Sequence, residues 1–306
     1  MGGEPSKPSN PSKPDPKPDL SLRQELETPW RRIDWGQKEE LKKSLEEFSV
    51  RNPDVKDIKI LVAGQIGAGK SSFINSVNNV FRGRITSSAI ANSSIGASHS
   101  FTKKLKTHRV RSKDGDLPFS LIDIMGLEPA AMCGSQPEDI IKAIYGHVKN
   151  DYKFDPEEPL SDKSEYYKSD PLLSDQAFCL VYVVDANTVS NTYESLTDKL
   201  RIIRTRCSEN GIPQVIVMTK VDLACQLVSK DLRKIYTSKK ISEKMQVCSD
   251  NIGVPMNHIF PLKNYSEEID TDDDVDVLIL KALDQIVNLA NDRLRDADRL
   301  RDAASN

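Results

Sequence analysis

The chain's 306 residues suffice for one large domain or two ordinary ones, and 38% hydrophobic with 29% charged residues describes a globular protein. A formal net charge of -3 and a pI near 5.9 argue against a general nucleic-acid binder, which carries a basic excess, so no nucleic-acid partner is expected. No apolar run is long enough to span a bilayer, and Cys133, Cys179, Cys207, Cys225 and Cys248 lack metal-ligand spacing, so free thiols and a cytoplasmic address are expected.

Residues 1–20 are built from Pro, Ser, Lys and Asp, with almost nothing apolar to offset the entropy of ordering, which predicts a disordered tail. The opening Met1-Gly2-Gly3-Glu4-Pro5-Ser6 matches the loose myristoylation pattern at Gly2. One acyl chain binds membranes only marginally, and the lysines here alternate with acids, so membrane attachment is not expected. Residues 21–52 carry Trp30 and Trp35 ahead of a helical pattern from Gln37 to Phe48, with Leu41, Leu45 and Phe48 on one face. The segment reads as a packing anchor that docks on the domain that follows.

That domain, 53–300, opens with an apolar run at Ile58–Ala63, then Gly64-Gln65-Ile66-Gly67-Ala68-Gly69-Lys70-Ser71, then the helical Ser72-Phe73-Ile74-Asn75-Ser76-Val77. Strand, glycine-rich turn and helix in this spacing form a phosphate loop. Gly64, Gly67 and Gly69 let successive amides, with those of Ala68 and Ser72, turn inward toward an anion at the positive end of the helix. Lys70 should reach the β- and γ-phosphates, and the Ser71 hydroxyl should ligate magnesium.

Residues 84–100 read as a loop. Lys103–Lys113 alternates weakly among basic residues, the pattern of an exposed edge strand, with a basic patch for an acidic partner or lipid as the less favoured reading. Leu117–Asp123 is a strand that ends in Asp123-Ile124-Met125-Gly126. An acid at the carboxyl end of a buried strand is where a magnesium-linked aspartate belongs, and Gly126 can offer a bare amide to a γ-phosphate.

Pro137–Val148 looks helical, and 150–175 is a polar, Pro-rich surface insertion. Phe178–Val184 is a buried strand, Thr192–Glu209 an amphipathic helix, and Pro213–Met218 a buried strand followed at once by Thr219-Lys220-Val221-Asp222. Helical stretches near 229–237 and 239–251 precede a last short strand, His258–Leu262, and Lys263-Asn264-Tyr265. Glu267–Asp276 alternates acids like a calcium loop, but Val275 stands at the required Gly and Lys281 at the closing Glu. These acids instead suit the amino end of a last helix, before a tail at 301–306.

Alternating strands and helices predict an α/β fold of the P-loop NTPase kind: a doubly wound, mostly parallel sheet with one antiparallel edge strand and helices on both faces. The order of motifs resembles the Ras-like GTP-binding superfamily. In it Thr219-Lys220-Val221-Asp222 matches the guanine-specificity motif, which implies that Asp222 accepts two hydrogen bonds from guanine while the Lys220 stem lies along the base. GTP or GDP with Mg2+ is the implied ligand. The base-backing loop of that superfamily is usually Ser-Ala-Lys; here Pro261-Leu262-Lys263-Asn264 sits in its place, and Lys263 is the residue expected to meet the nucleotide, through a backbone amide of this loop.

The resemblance narrows further. Pro29-Trp30-Arg31, Gly-Ala-Gly-Lys-Ser-Ser-Phe-Ile-Asn-Ser-Val, Leu-Pro-Phe-Ser-Leu-Ile-Asp-Ile-Met-Gly-Leu-Glu and Lys-Asn-Tyr together resemble the interferon-induced protein 44 family, including its 44-like members, over about residues 25 to 295. The resemblance implies a cytoplasmic GTP-binding protein of the innate antiviral response. Leu127 replaces the water-orienting Gln of Ras-like enzymes, so hydrolysis should be slow unless Glu128, a partner or a second protomer in a homodimer supplies that group. Leu127→Gln is expected to raise the rate if the water site is otherwise formed. For the first-switch magnesium ligand Thr102 is preferred, with Thr86 and Ser100 as rivals.

Overall fold

The computed structural model describes residues 24–86, 103–129, 134–191 and 194–305. The 1–20 tail, most of the 84–102 loop with Ser100 and Thr102, and Cys133 lie outside them. In chain order the elements are α1 (Lys38–Glu46), β1 (Ile58–Gly64), α2 (Lys70–Arg82), β2 (Lys106–Arg111), β3 (Asp116–Asp123), α3 (Pro137–Ile144), β4 (Ala177–Asp185), α4 (Glu194–Glu209), β5 (Gln214–Thr219), the short α5 (Val221–Ala224) and α6 (Gln226–Lys230), α7 (Lys239–Ile252), β6 (Ile259–Pro261) and α8 (Asp273–Ser305). The last helix therefore continues through 301–305.

Among the described residues the six strands lie in the order β2-β3-β1-β4-β5-β6. All neighbours are parallel except β2, which pairs antiparallel with β3 at the edge. The central strands are apolar on both faces because helices cover both: α1, α2 and α8 on one side, α3, α4 and α7 on the other. The registers Val62↔Asp123, Gly64↔Val183, Asp185↔Thr219 and Met218↔Pro261 bring the carboxyl ends of five strands to one rim. A doubly wound sheet binds its ligands along that rim.

The approach to the core from the amino terminus is a strap. Trp30 meets Tyr236 edge to face with ring centres 5.0 Å apart, and Phe48 meets Phe119 at 6.4 Å. Leu41 and Leu45 of α1 are buried against α8. The acids at the start of α8 do more than complement a helix dipole: Lys38 pairs with Asp273 and Asp276, and Arg233 with Asp274.

The 150–175 stretch is polar in composition but not wholly on the surface. Tyr152 and Phe154, two apart as on one face of a strand, are buried, and so is Leu160. The amide of Leu105 donates to the Tyr152 carbonyl (2.9 Å) and that of Phe154 to the Lys103 carbonyl (3.0 Å), so the insertion covers the approach to β2.

Candidate nucleotide site

The phosphate loop joins β1 to α2, and its glycines carry the conformations that its turn requires. Gly67 and Gly69 have φ of 75° and 95°. At Gly64 a Cβ would stand 2.1 Å from the Val183 carbonyl oxygen, so β1 and β4 approach this closely only without a side chain. Lys70 begins α2, and its buried ammonium donates to the carbonyls of Gly64 and Gln65 at 3.1 Å each. Burial pushes its pKa down to about 8, against the pull of the Asp123 carboxylate.

That shift has a consequence for binding. The ammonium is lost as pH rises through about 8, whereas the lysine of an unfolded chain keeps its proton to about 10.5. Between those values the unfolded state binds more protons, so this group's contribution to stability rises with pH. Binding a phosphate has the opposite sign, because the anion needs the ammonium. Affinity for GDP should fall by up to about tenfold per pH unit above about pH 8, as binding takes up one proton. Titrations at about pH 7 and about pH 9 check this, and equal affinities would remove Lys70 from the phosphates.

Two of the residues predicted to meet magnesium, Ser71 in the first turn of α2 and Asp123 at the carboxyl end of β3, lie together: the Ser71 hydroxyl donates to Asp123 Oδ2 at 2.9 Å, and Asp123 is only 2% exposed. No group of three or more His, Cys, Asp or Glu among the described residues could hold a metal ion. Thr102 lies outside the described residues. Its rival Thr86 donates its amide and hydroxyl to Asn79 Oδ1 of α2, at 2.7 and 2.9 Å.

Beyond Asp123 the chain is zipped onto the phosphate loop. The Leu127 amide donates to the Gly64 carbonyl (3.0 Å) and the Ile66 amide to the Leu127 carbonyl (3.2 Å). Gly126 is pressed so close that a Cβ would stand 2.5 Å from Ile66 Cγ1 and 2.9 Å from Lys70 Nζ. The Leu127 side chain is fully buried. A glutamine at 127 would therefore bury its amide at an apolar position, so the condition set for Leu127→Gln, a water site otherwise formed, also needs that side chain to turn out toward a phosphate. Glu128 is half-buried, and its backbone carbonyl accepts from Lys199 of α4 at 2.9 Å.

The base side is built from β5 and the loop after β6. The buried Thr219 hydroxyl donates to the Ala68 carbonyl at 2.6 Å, fastening β5 to the phosphate loop. Lys220 adopts φ 57°, and its ammonium lies 2.8 Å from both the Gly67 carbonyl and Asp185 Oδ2. Asp222, half-buried, follows in the first turn of α5, close enough to Lys263 to help hold that ammonium's pKa up. Burial pulls the Lys263 pKa down, and the ion pair with Glu268 at 2.7 Å, with Asp222 and Asp272 nearby, raises it above its ordinary value. Ser72 lies beside Ser71 in the first turn of α2.

Two side chains of this rim have contacts that the sequence did not assign. Asp185 ends the apolar run of β4, the same signal that marked Asp123. Asn264 donates from Nδ2 to the Gly69 carbonyl at 3.3 Å, and its buried Oδ1 has no hydrogen-bond partner among the described residues. That orphaned acceptor, the Lys70 ammonium, the loop amides and the Ser71–Asp123 pair form a donor and acceptor set that fits a nucleotide with its magnesium.

The sheet order and the loop on its first strand define a P-loop GTPase domain, and the family model described as 50S ribosome-binding GTPase matches residues 59–220. Interferon-induced protein 44-like of Homo sapiens is 32% identical over 244 residues, 79% of this chain and 53% of that protein. Interferon-induced protein 44 of Mus musculus is 32% identical over 259 residues, 84% of this chain and 60% of that protein. The chain belongs to this family of interferon-induced protein 44 and 44-like proteins, and it spans between half and two thirds of the length of these relatives. Among solved structures, Toc33 from Arabidopsis thaliana in complex with GDP and Mg2+ aligns with a TM-score of 0.44 at 15% identity, over 84% of this chain and 91% of that one.

Proposed function

We propose that the protein binds GTP and GDP with magnesium and serves as a slow-hydrolysing cytoplasmic switch of the interferon-induced antiviral response. The observation that supports the guanine-nucleotide part is that Lys70, Ser71, Gly126 and Lys220 gather at one glycine-rich loop, with Asp123 bonded to Ser71 and Asp222 two residues beyond Lys220. The names of the relatives support the interferon-induced part. No helix of the described residues is long and apolar enough to cross a membrane.

In this reading Lys70 exchanges its two carbonyl partners for phosphate oxygens. Ser71 and Asp123, paired in the free protein, would together hold the magnesium ion. Magnesium, when bound, neutralises charge on the β- and γ-phosphate oxygens. Gly126 offers its amide to the γ-phosphate, and Lys220 lays its stem along the base while Asp222 accepts from it. The Leu127 bridge to Gly64 couples the 124–129 segment to the loop, so γ-phosphate contacts at Gly126 pull on that segment and order it differently in the two nucleotide states.

Buried Leu127 leaves the water-positioning role to Glu128 or to a group from a partner or second copy. The dilute protein should therefore hydrolyse GTP at roughly 10⁻³ s⁻¹ or slower, and Leu127→Gln should lower the melting temperature without raising the rate. Single-turnover hydrolysis checks both, and a rate near 1 s⁻¹ from dilute wild-type protein would contradict the slow-switch reading. A rate that climbs with protein concentration would assign the missing group to a homodimer.

The second reading is a nucleotide-stabilised scaffold that binds protein partners without turnover. The observation in its favour is the insertion, which the buried Tyr152, Phe154 and Leu160 anchor as an ordered surface.

A further inference from the structure

We infer that the amino-terminal strap belongs to the nucleotide site: Arg31 and Lys38 are positioning residues that clamp the two ends of the base-side loop 262–264 and so govern how fast the nucleotide leaves. This rests on the guanine-nucleotide reading above.

At the entry to the loop, the Arg31 guanidinium donates to the carbonyls of Ile259 and Met256, both at 2.8 Å. It is packed among the rings of Trp30, Tyr236 and Phe260, 5.2 to 5.6 Å from their centres. A planar cation held by three rings and two carbonyls fixes the first residue of β6. The strap itself is tied down by backbone bonds, from Leu26 to Thr237 at 2.8 Å and from Trp30 to Tyr236 at 3.1 Å.

At the exit, Lys38 Nζ stands 2.8 Å from Asp276 Oδ2. Asp276 is fully buried, and Lys38 is its one ion-pair partner among the described residues. Its other oxygen accepts from the Tyr265 hydroxyl at 2.6 Å, and that hydroxyl accepts from the Asp272 amide at 2.8 Å. Tyr265 in turn donates its amide to Ser76 Oγ on α2 at 3.0 Å, next to the Asn264 contact with Gly69. A cation more than two hundred residues upstream thereby neutralises the buried carboxylate that holds Tyr265, and Tyr265 ends the loop that touches the cap of the phosphate-loop helix. Without Lys38, the buried Asp276 carboxylate loses its ion-pair partner, and its hold on the Tyr265 hydroxyl loosens as the carboxylate turns toward water. Beside the apolar contacts that fasten the strap to α8 and β3, its polar contacts through Arg31 and Lys38 bracket this one loop.

The test uses the full chain and release of a fluorescent GDP. Lys38→Met and Tyr265→Phe should each quicken release about tenfold or more, and the double variant should release no faster than the faster single one, as expected for members of one relay. Lys38→Arg should stay near wild type. Val110→Ala, in the core of the distant edge strand, should lower the melting temperature and leave release unchanged. In nucleotide-free protein, hydrogen exchange at the amides of 262–266 should quicken in Lys38→Met while that of β1 does not. Wild-type release from folded Lys38→Met and Tyr265→Phe, or unchanged exchange in that loop, overturns the relay. If the wild-type chain binds no GDP, the guanine reading fails, and the exchange result alone decides the relay.

Discussion

Lys70→Ala should abolish magnesium-dependent GTP binding while leaving the fold intact. The ammonium is buried, so it meets phosphate oxygens in a medium where charge-assisted hydrogen bonds contribute about 1.5–3 kcal/mol each. Losing two of them amounts to about 4 kcal/mol, or roughly a thousandfold in affinity. The free protein depends on the same group far less. Its partners there are the carbonyls of Gly64 and Gln65, and burial already disfavours its charge. Circular dichroism should therefore be unchanged. Ser71→Asn should do likewise, since it removes the hydroxyl that lies 2.9 Å from Asp123 and crowds the place of the ion. Undiminished GTP affinity in both variants would make the glycine-rich loop a structural turn only.

Asp222→Asn should exchange guanine for xanthine. In the proposed reading the carboxylate accepts from guanine at N1 and at the exocyclic amine. An asparagine presents one acceptor and one donor, which suits N1–H beside the carbonyl that xanthine carries instead. Two hydrogen bonds to a charged group are worth on the order of 3 kcal/mol together, about a hundredfold. Asp222 is half-buried in the free protein and shares its field with Lys263, so the full value develops only once the base covers it. Competitive titration of the variant with GDP and xanthosine diphosphate measures the exchange. Retention of the guanine preference would move base recognition away from Asp222.

What was legible in the sequence is what a strand's own pattern announces. The phosphate loop, Asp123 and Thr219–Asp222 each directly follow or close an apolar run, and a parallel sheet delivers the ends of such runs to one rim. The antiparallel edge strand was legible from its alternation and its lysines and arginines. Asp185 closes its run in the same way and was open to the same argument. Asn264 carries no such signal, because its contact with Gly69 spans 195 residues. The clamp of Arg31 and Lys38 is equally silent, since ion pairs between distant segments leave no local period. Leu127 was identified as a departure from the Ras-like pattern, but its burial depends on the bridge to Gly64, which the sequence does not encode locally. Tyr152 and Phe154 were hidden because a two-residue apolar pair is too short to stand out in a polar stretch.

The most direct measurement is a parallel titration of the purified chain with GTP and ATP in the presence of magnesium. Both nucleotides offer the same phosphates to Lys70 and Ser71, so any difference reports the base alone. Adenine lacks the paired donors that Asp222 requires, and covering that carboxylate without partners costs its hydration. The account predicts GTP binding at least about a hundredfold tighter than ATP. Equal affinity for the two nucleotides would contradict it and leave a phosphate-loop protein without base selectivity.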